Sequence, residues 1–322
     1  MAFISTLVDP AQVGKSHAVA KVALKIDVDT DRGTRDGVLP LANLCRRHQV
    51  PATFFFSLGP DHTGRAIRRV FRPGFLTKVT RTNVAGNYGW RTLLYGTLLP
   101  GPMIGQRNAD VLRQVADLGF ETGIHCYDHF TWQDYVHSMT PEAVRRHLDR
   151  AASVYYDIFK TSTRCAAAPG WQACANSLAA YDSLGLDYAS DTRGFGPFLP
   201  RVGHRTFRTP QIPTDLPTLD ERLGLPRLTL EDITAEIVNQ AHLPGFHVFT
   251  AHAELEGLRY APWFDHLLTA FKQADIEIVP LRTALQGDLP CAEMGQGEVT
   301  GRSGQVAIRS DLVTESPPSS SP

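Results

Sequence analysis

Two aspartates stand at the end of an apolar, strand-like stretch of the sequence. The stretch covers residues 20–28 (AKVALKIDV) and brings Asp27 and Asp29 to its C-terminal end. Because side chains alternate along a strand, both carboxylates point to the same side. Neighbouring carboxylates repel unless a cation or a proton lies between them, so one can ligate a metal while the other acts as a base. The alternative is an acidic turn, since residues 29–33 (DTDRG) also suit a turn.

A pair of histidines follows a second predicted strand. His125 and His129 are four residues apart, and histidines at this spacing can face one metal ion from a single turn. With Asp29 they give two histidines and a carboxylate, which leaves a coordination position open for water. An ion there makes that water more acidic and polarises a carbonyl group. Between them, Asp128 either accepts a ring N–H or is a turn carboxylate.

A third polar group follows a late strand. His252 comes directly after the predicted strand 247–251, where it could protonate a leaving amine, although a lone histidine is more often structural. Another strand end carries the sequence SDTRG over residues 190–194, with Asp191 and Arg193. The alternative for that segment is a surface ion pair between these two side chains.

The elements that position these residues alternate between strands and helices. Strands are predicted at 20–28, 52–58, 120–125, 164–168, 188–191, 211–212, 247–251 and 277–281. Helices are predicted between them at 108–118, 140–159, 175–184, 230–242 and 262–274. Repeated βα units favour parallel strands with right-handed crossovers. We therefore predict an α/β fold, a deformed (β/α) barrel of seven to eight parallel strands with its site at the C-terminal ends of the strands.

The ends of the chain differ from this pattern. Residues 1–19 are predicted to be an N-terminal extension, 20–288 the barrel domain, and 289–322 a disordered tail rich in Gly, Ser and Pro. Segment 62–109 contains no Asp or Glu, but it is rich in Arg, aromatic and aliphatic residues. It is either a surface that lies on an anionic membrane or an ordinary helical insertion with a solvated basic face. The residues expected to face the membrane include Arg68, Arg69, Arg72, Phe75 and Trp90.

Composition excludes several other classes of protein. The formal net charge of the 322 residues is −1, which argues against a general nucleic-acid-binding protein. The five cysteines form no CxxC pair, so we expect a reducing compartment rather than a disulfide framework. The first 15 residues do not have the pattern of a signal peptide, which leads us to expect a cytoplasmic protein. The sequence gives no oligomeric state.

The order of these motifs resembles the polysaccharide deacetylases, the family 4 carbohydrate esterases. It is closest to their branch of 4-deoxy-4-formamido-L-arabinose-phosphoundecaprenol deformylases. The resemblance covers roughly residues 21–285 and is carried by many short motifs in the right order. They are KIDVDT (25–30), RGTR (32–35), TFFFSLGPD (53–61), NYGW (87–90), GIHCYDHFTWQ (123–133), AAAPGW (166–171), SDTRG (190–194), QIP (211–213) and HAELEG (252–257).

The resemblance implies a function for several residues. It implies one divalent metal ion held by Asp29, His125 and His129, with Asp27 as general base and His252 as general acid. Zinc, cobalt, manganese and nickel all suit such ligands. The reaction implied is hydrolysis of the N-formyl group of an undecaprenyl-phosphate-linked amino sugar at the inner face of the cytoplasmic membrane, a step of lipid A modification and polymyxin resistance. Residues expected to bind substrate or support the metal site are Asp128, Trp171, Asp191, Arg193, Glu254 and Glu256.

One feature departs from the wider family, which carries an arginine near the base where this chain reads AAAPGW over 166–171. Three alternatives follow for Arg193: it pairs with Asp27, it binds the substrate phosphate, or it pairs with Asp191. Two other functions also stay open, a deacetylase of another amino sugar and a non-catalytic protein that binds a lipid carrier. The intact set of five polar residues disfavours the last.

Overall fold

The computed structural model describes residues 20–66 and 90–310 of the chain. The strands are β1 (Lys21–Val28), β2 (Thr53–Ser57), β3 (Glu121–Cys126), β4 (Cys165–Ala166), β5 (Tyr188–Ala189), β6 (Leu199–Val202), β7 (Arg205–Thr206), β8 (Phe246–His252), β9 (Glu277–Val279), β10 (Cys291–Glu298) and β11 (Gln305–Arg309). The helices are α1 (Val38–His48), α2 (Ile104–Arg107), α3 (Ala109–Asp117), α4 (His129–Tyr135), α5 (Pro141–Phe159), α6 (Ala175–Leu184), α7 (Leu219–Arg222), α8 (Leu230–Ala241) and α9 (Ala261–Gln273).

A curled sheet of seven parallel strands forms the centre of the molecule. Its order is β5-β4-β3-β2-β1-β8, and β9 pairs with the start of β1 while β2 pairs with its end. The predicted deformed α/β barrel is confirmed as a parallel half-barrel with helices packed against it. The predicted strand at 211–212 forms only isolated bridges, to Ala189 and Phe198.

Strand β1 separates the core from the site by alternation. Val22, Leu24, Ile26 and Val28 belong to a buried cluster that also contains side chains of helices α1 and α9. The intervening residues face the other way, and two of them are the charged side chains Lys25 and Asp27. One strand therefore anchors the helical layer and carries charged groups into the concave side of the sheet.

The prediction of a disordered tail over 289–322 is wrong for residues 291–309. Strands β10 and β11 form an antiparallel hairpin, and β10 pairs with β6 in a second, four-stranded sheet. Ala292, Met294, Val306 and Ala307 are buried in that hairpin. Buried apolar residues alternate with polar ones along β10, which is the pattern of a strand. The high Gly, Ser and Pro content of the whole segment hides that pattern. Residues 311–322 lie outside the described part of the chain.

The basic segment is described only in part. Residues 62–66 and 90–109 are described, whereas Arg68, Arg69, Arg72 and Phe75 lie outside the described residues. The two described parts are joined, because Gly64 N donates to Tyr95 O and Arg65 Nε donates to Gly96 O. Among the described helices, none combines the length and apolar character needed to cross a bilayer.

Candidate active site

The loop after β1, which carries Asp29 and Thr30, is held in place by the buried side chain of Glu254. Glu254 Oε1 accepts hydrogen bonds from Asp29 N at 3.1 Å, Thr30 N at 2.8 Å and Thr30 Oγ1 at 2.8 Å. Burial raises the pKa of Glu254 well above its usual value, and the nearby Asp29 carboxylate raises it further. A side chain at Gly33 would collide with Glu254, so only glycine allows this close approach. The loop that carries Asp29 is thereby fixed relative to the end of β8.

Three ligand-type atoms converge at the C-terminal end of the sheet. Asp29 Oδ1 lies 3.2 Å from His125 Nε2 and 3.4 Å from His129 Nε2. Tetrahedral ligands about 2.0–2.2 Å from a shared ion lie about 3.4 Å from one another, so the spacing fits. Asp29 Oδ1 is also buried and accepts no hydrogen bond from the described residues. These three residues are thus the candidate metal centre, as the sequence predicted.

The electrostatics of this centre favour an ionised aspartate. Burial by itself would raise the pKa of Asp29, but the rings of His129 and His125 hold it well below its usual value. A carboxylate and two imidazoles are the donors that borderline divalent ions accept, which is consistent with zinc, cobalt, manganese or nickel.

The turn between the two histidines is held by a helix cap and by two histidines from elsewhere in the chain, His62 and His147. Asp128 caps helix α4, with Oδ1 accepting from Thr131 N at 3.0 Å, and its Oδ2 lies 2.7 Å from His62 Nδ1. His147 Nε2, on α5, accepts from Tyr127 N at 3.0 Å and from Asp128 N at 3.1 Å. Burial lowers the pKa of His147 to about 4, which keeps the ring neutral and able to accept. Asp128 therefore shapes the turn, and its contacts are with Thr131 and His62 rather than with a ligand ring.

Asp27 is anchored on one side and open on the other. Lys25 Nζ lies 3.2 Å from Asp27 Oδ2, and both side chains are buried. Asp27 Oδ1 has no hydrogen-bond partner among the described residues and lies 4.0 Å from His125 Nδ1. The carboxylate thus presents one unpartnered oxygen beside the metal centre.

Lys25 is the residue that the sequence analysis missed. Its side chain is 0% exposed, donates to Ser190 O at 2.9 Å, and lies 5.1 Å from the centre of the Trp171 ring. The signal was present, because alternation along β1 places Lys25 on the same face as Asp27. A lysine inside a strand that is otherwise buried is itself unusual and indicates a paired charge.

His252 is the register neighbour of Asp27 on the adjacent parallel strand. Ala253 N donates to Asp27 O at 3.0 Å, and Glu256 Oε2 accepts from His252 N at 2.9 Å. Burial raises the pKa of Glu256 to about 8. His252 Nδ1 is buried without a hydrogen-bond partner among the described residues, and its ring meets the Trp171 ring edge-on at 6.4 Å.

Trp171 is buried and lies near three cations. Lys25, Arg193 and Arg302 approach its ring to 5.1, 5.0 and 4.4 Å, measured from its centre. Trp171 ends the loop 166–171. Asp191 contacts the same loop, because its carboxylate accepts from Ala168 N at 2.6 Å. Burial raises the pKa of Asp191 to about 6. Both side chains therefore hold the loop 166–171 in place.

Arg193 differs from all three alternatives considered for it. Its guanidinium pairs with Glu221 and donates to Thr214 O at 2.9 Å and Leu216 O at 3.2 Å. It is 6% exposed, so its donors are directed into the protein rather than toward Asp27 or a substrate. The cation beside Asp27 is Lys25, which occupies the role that the sequence analysis considered for Arg193.

Two comparisons bear on the class of protein. The model of the family described as polysaccharide deacetylase matches residues 21–189, more than half of the chain. A solved structure named as a polysaccharide deacetylase from Mycobacterium smegmatis shares the fold, with a TM-score of 0.60, 15% identity, and coverage of 89% of this chain and 98% of that one. The chain belongs to the polysaccharide deacetylase family.

Two relatives are more specific. A protein of Shewanella sediminis, named as the 4-deoxy-4-formamido-L-arabinose-phosphoundecaprenol deformylase ArnD, is 38% identical over 300 residues, covering 92% of this chain and 97% of the relative. A protein of the same name from Wigglesworthia glossinidia brevipalpis is 29% identical over 286 residues, covering 87% of this chain and 99% of the relative. The predicted family is confirmed, and the chain is a hydrolase that acts on an amide C–N bond.

Proposed function

We propose that this chain hydrolyses the N-formyl group of undecaprenyl-phosphate 4-deoxy-4-formamido-L-arabinose. Water adds to the formyl carbon, the C–N bond breaks, and the products are formate and the free amine on the lipid-linked sugar. The observation that carries the proposal is the convergence of Asp29, His125 and His129 beside the open oxygen of Asp27. The 38% identity over nearly the whole length of a relative named for that reaction supports the choice of substrate.

A divalent ion bound by Asp29, His125 and His129 would supply a Lewis acid that polarises the formyl oxygen and makes a water more acidic. Asp27 is the group placed to take the proton from the attacking water. Its Oδ2 is held by Lys25, so Oδ1 is the oxygen that accepts. Lys25 is a positioning residue in this scheme, because its ammonium fixes the orientation of the carboxylate.

His252 is the group placed to protonate the departing nitrogen. It stands next to Asp27 across β1 and β8, so the base and the acid flank the same point at the strand ends. The acid must hold a proton when the base does not, and the two different side chains fit that division. The edge-on contact with Trp171 limits the orientations of the His252 ring.

The substrate also implies where the protein acts. We propose that it works at the inner face of the cytoplasmic membrane, in the modification of lipid A that gives polymyxin resistance. Two exposed apolar side chains in the basic segment support contact with lipid, since Trp90 is 67% exposed and Leu98 is 81% exposed. Neighbouring basic residues would add attraction to anionic headgroups.

The proposal is tested by product analysis on two lipid-linked sugars that differ only in the acyl group. The formyl compound should give formate and the free amine, and the acetyl compound should react at least about tenfold more slowly. Asp27→Asn should keep the metal and lose about 10²–10⁴-fold in kcat, the range for an acid–base group. Equal turnover of both compounds would instead favour a general amino-sugar deacetylase. No turnover of either would contradict the enzyme assignment.

A further inference from the structure

A cavity is lined partly by the loop that follows Asp29, and half of its lining residues are arginines. Its volume is about 400 Å³. The lining residues are Asp31, Arg32, Arg35, Trp90, Arg91, Thr92, Tyr95 and Arg107. None of them belongs to the catalytic group described above, so the cavity has no role yet in the reaction.

The cavity is strongly positive. Four arginines line it against one aspartate, which leaves three positive charges in excess. Asp31 is buried and already bound, with Arg35 at 3.2 Å and Arg107 at 3.4 Å, and its other oxygen accepts from Asn108. The carboxylate therefore holds two of the guanidinium groups in place. Asp36, outside the lining, pairs with Arg35 and still leaves the cavity with a positive excess.

The position of the cavity relates it to the metal centre. Asp31 follows Asp29 by two residues, so their α-carbons are separated by less than about 8 Å. Asp31 N is bound to Asp61 Oδ2 at 2.9 Å, which fixes the loop between the two sites. The cavity and the metal centre are therefore built on the same short loop.

Guanidinium groups bind phosphate oxygens through paired N–H donors, and several around one cavity are typical of a phosphate site. Trp90 and Tyr95 supply apolar surface at the same cavity, and Arg91 lies over the Trp90 ring at 5.7 Å. A ligand with both an anionic phosphate and an apolar neighbour matches this lining.

We propose that the arginine cavity binds the phosphodiester that joins the sugar to its polyprenyl chain, with the formamido group directed at Asp29. This inference rests on the proposed function, because it assigns a binding site to that substrate. In a sugar phosphorylated at one end and formylated at the other, a single ring separates the two groups. Arg91 and Arg107, both exposed in the described structure, are the side chains best placed to meet the ligand.

Kinetics on two substrates test the proposal. One is a short-chain prenyl-phosphate formamido-arabinose, and the other is the methyl glycoside of the same sugar without phosphate. Arg91→Ala and Arg107→Ala should lower kcat/KM about 10- to 100-fold on the phosphorylated substrate, the value of one hydrogen bond to a charged group. The methyl glycoside should change by less than about threefold. Equal losses on both substrates, or none on either, would overturn the site.

Two controls separate this outcome from others. Arg145→Ala removes an exposed arginine that pairs with Asp149 on α5, and it should leave both substrates unchanged. Arg107→Lys keeps the charge and should restore at least part of the loss, while an unchanged Tm shows that the fold is intact.

A binding measurement keeps the site testable if the proposed reaction fails. Titration calorimetry of geranyl phosphate and of inorganic phosphate into the full chain requires no turnover. Geranyl phosphate should bind, Arg91→Ala should weaken it at least about tenfold, and inorganic phosphate should bind more weakly. Binding without turnover would reject the deformylase and keep the phosphate site. No binding of either anion would overturn the site, whatever the activity.

Discussion

Lys25 Nζ lies 3.2 Å from Asp27 Oδ2, inside a strand whose other face is fully apolar. The pair leaves Asp27 Oδ1 as the only oxygen of that carboxylate without a partner in the described structure. The ammonium thus orients the carboxylate, which is what a catalytic base needs in order to present one oxygen to the attacking water.

Replacement of Lys25 by Met should reduce kcat at least about tenfold while metal content stays at the wild-type level. The loss is expected because the carboxylate of Asp27 is no longer held in one orientation by the ammonium. Lys25→Arg should recover part of the rate. A stability defect with an unchanged kcat would show that Lys25 is only structural. Because a buried pair is broken, unfolding should also cost about 3–5 kcal/mol less.

His147 makes a prediction about pH and stability. Its pKa falls from 6.5 to about 4 in the folded protein, because burial disfavours the charged ring. The unfolded chain therefore binds more protons between these values, and stability rises with pH across that window. The contribution of neutral His147 to the free energy of unfolding is complete above about pH 6.5 and is lost as pH falls toward 4. It amounts to about 3 kcal/mol.

His147→Gln removes the titrating ring but keeps an acceptor for the Tyr127 and Asp128 amides. The variant should therefore show a flatter dependence of unfolding free energy on pH between 4 and 6.5, measured by denaturant unfolding. His137→Gln, at an exposed histidine outside the site, is the matched control and should keep the wild-type slope. An unchanged slope in the His147 variant would contradict the assignment.

The hairpin β10–β11 should be required for a stable fold. A chain that stops after Pro290 loses the buried side chains of Met294 and Val306, each worth about 1.5–3 kcal/mol of apolar burial. It also loses Arg302 from the face of Trp171. Tm should fall by several degrees. A chain that stops after Ser310 is the control, and we expect its Tm to match the full chain; equal Tm in both truncations would refute the role of the hairpin.

Membrane association remains a prediction. The chain should sediment with anionic liposomes at low salt and return to the supernatant as salt rises, since the charges of the basic segment are screened. Trp90→Ala should weaken the association with anionic and with neutral vesicles alike, because it removes an exposed apolar contact. Equal partition to neutral and anionic vesicles at every salt concentration would remove the electrostatic part of the prediction.

The sequence predicted the site better than its surroundings. Asp27, His125 and His252 lie at the C-terminal ends of their strands, and Asp29 and His129 follow β1 and β3 closely. Alternation with βα order is enough to bring these strand ends together. The hydrogen-bond partners of these residues could not be predicted in the same way. A contact such as that of His147 with the amide of Asp128 depends on how helix α5 packs. Arg193 shows the same limit, since Glu221 is 28 residues away and only the tertiary fold brings the two together.

Average composition gives the wrong prediction for a segment whose local pattern predicts a strand. The Gly, Ser and Pro content of segment 289–322 predicts disorder, although Ala292 and Met294 alternate with polar residues on one strand. The two-residue spacing of Lys25 and Asp27 in one strand places both side chains on one face. A pattern over a few residues carries information that the average over 30 residues removes.

The most direct test of the metal centre is formate release during stepwise addition of a divalent ion to chelated protein. For the wild-type chain, the rate should rise linearly and stop at one ion per chain, with bound metal measured on the same samples. His125→Ala and His129→Ala should bind less than about a tenth of that metal and release no formate, while their Tm confirms a folded chain. Full formate release by the chelated protein, or full metal occupancy in both variants, would contradict the account.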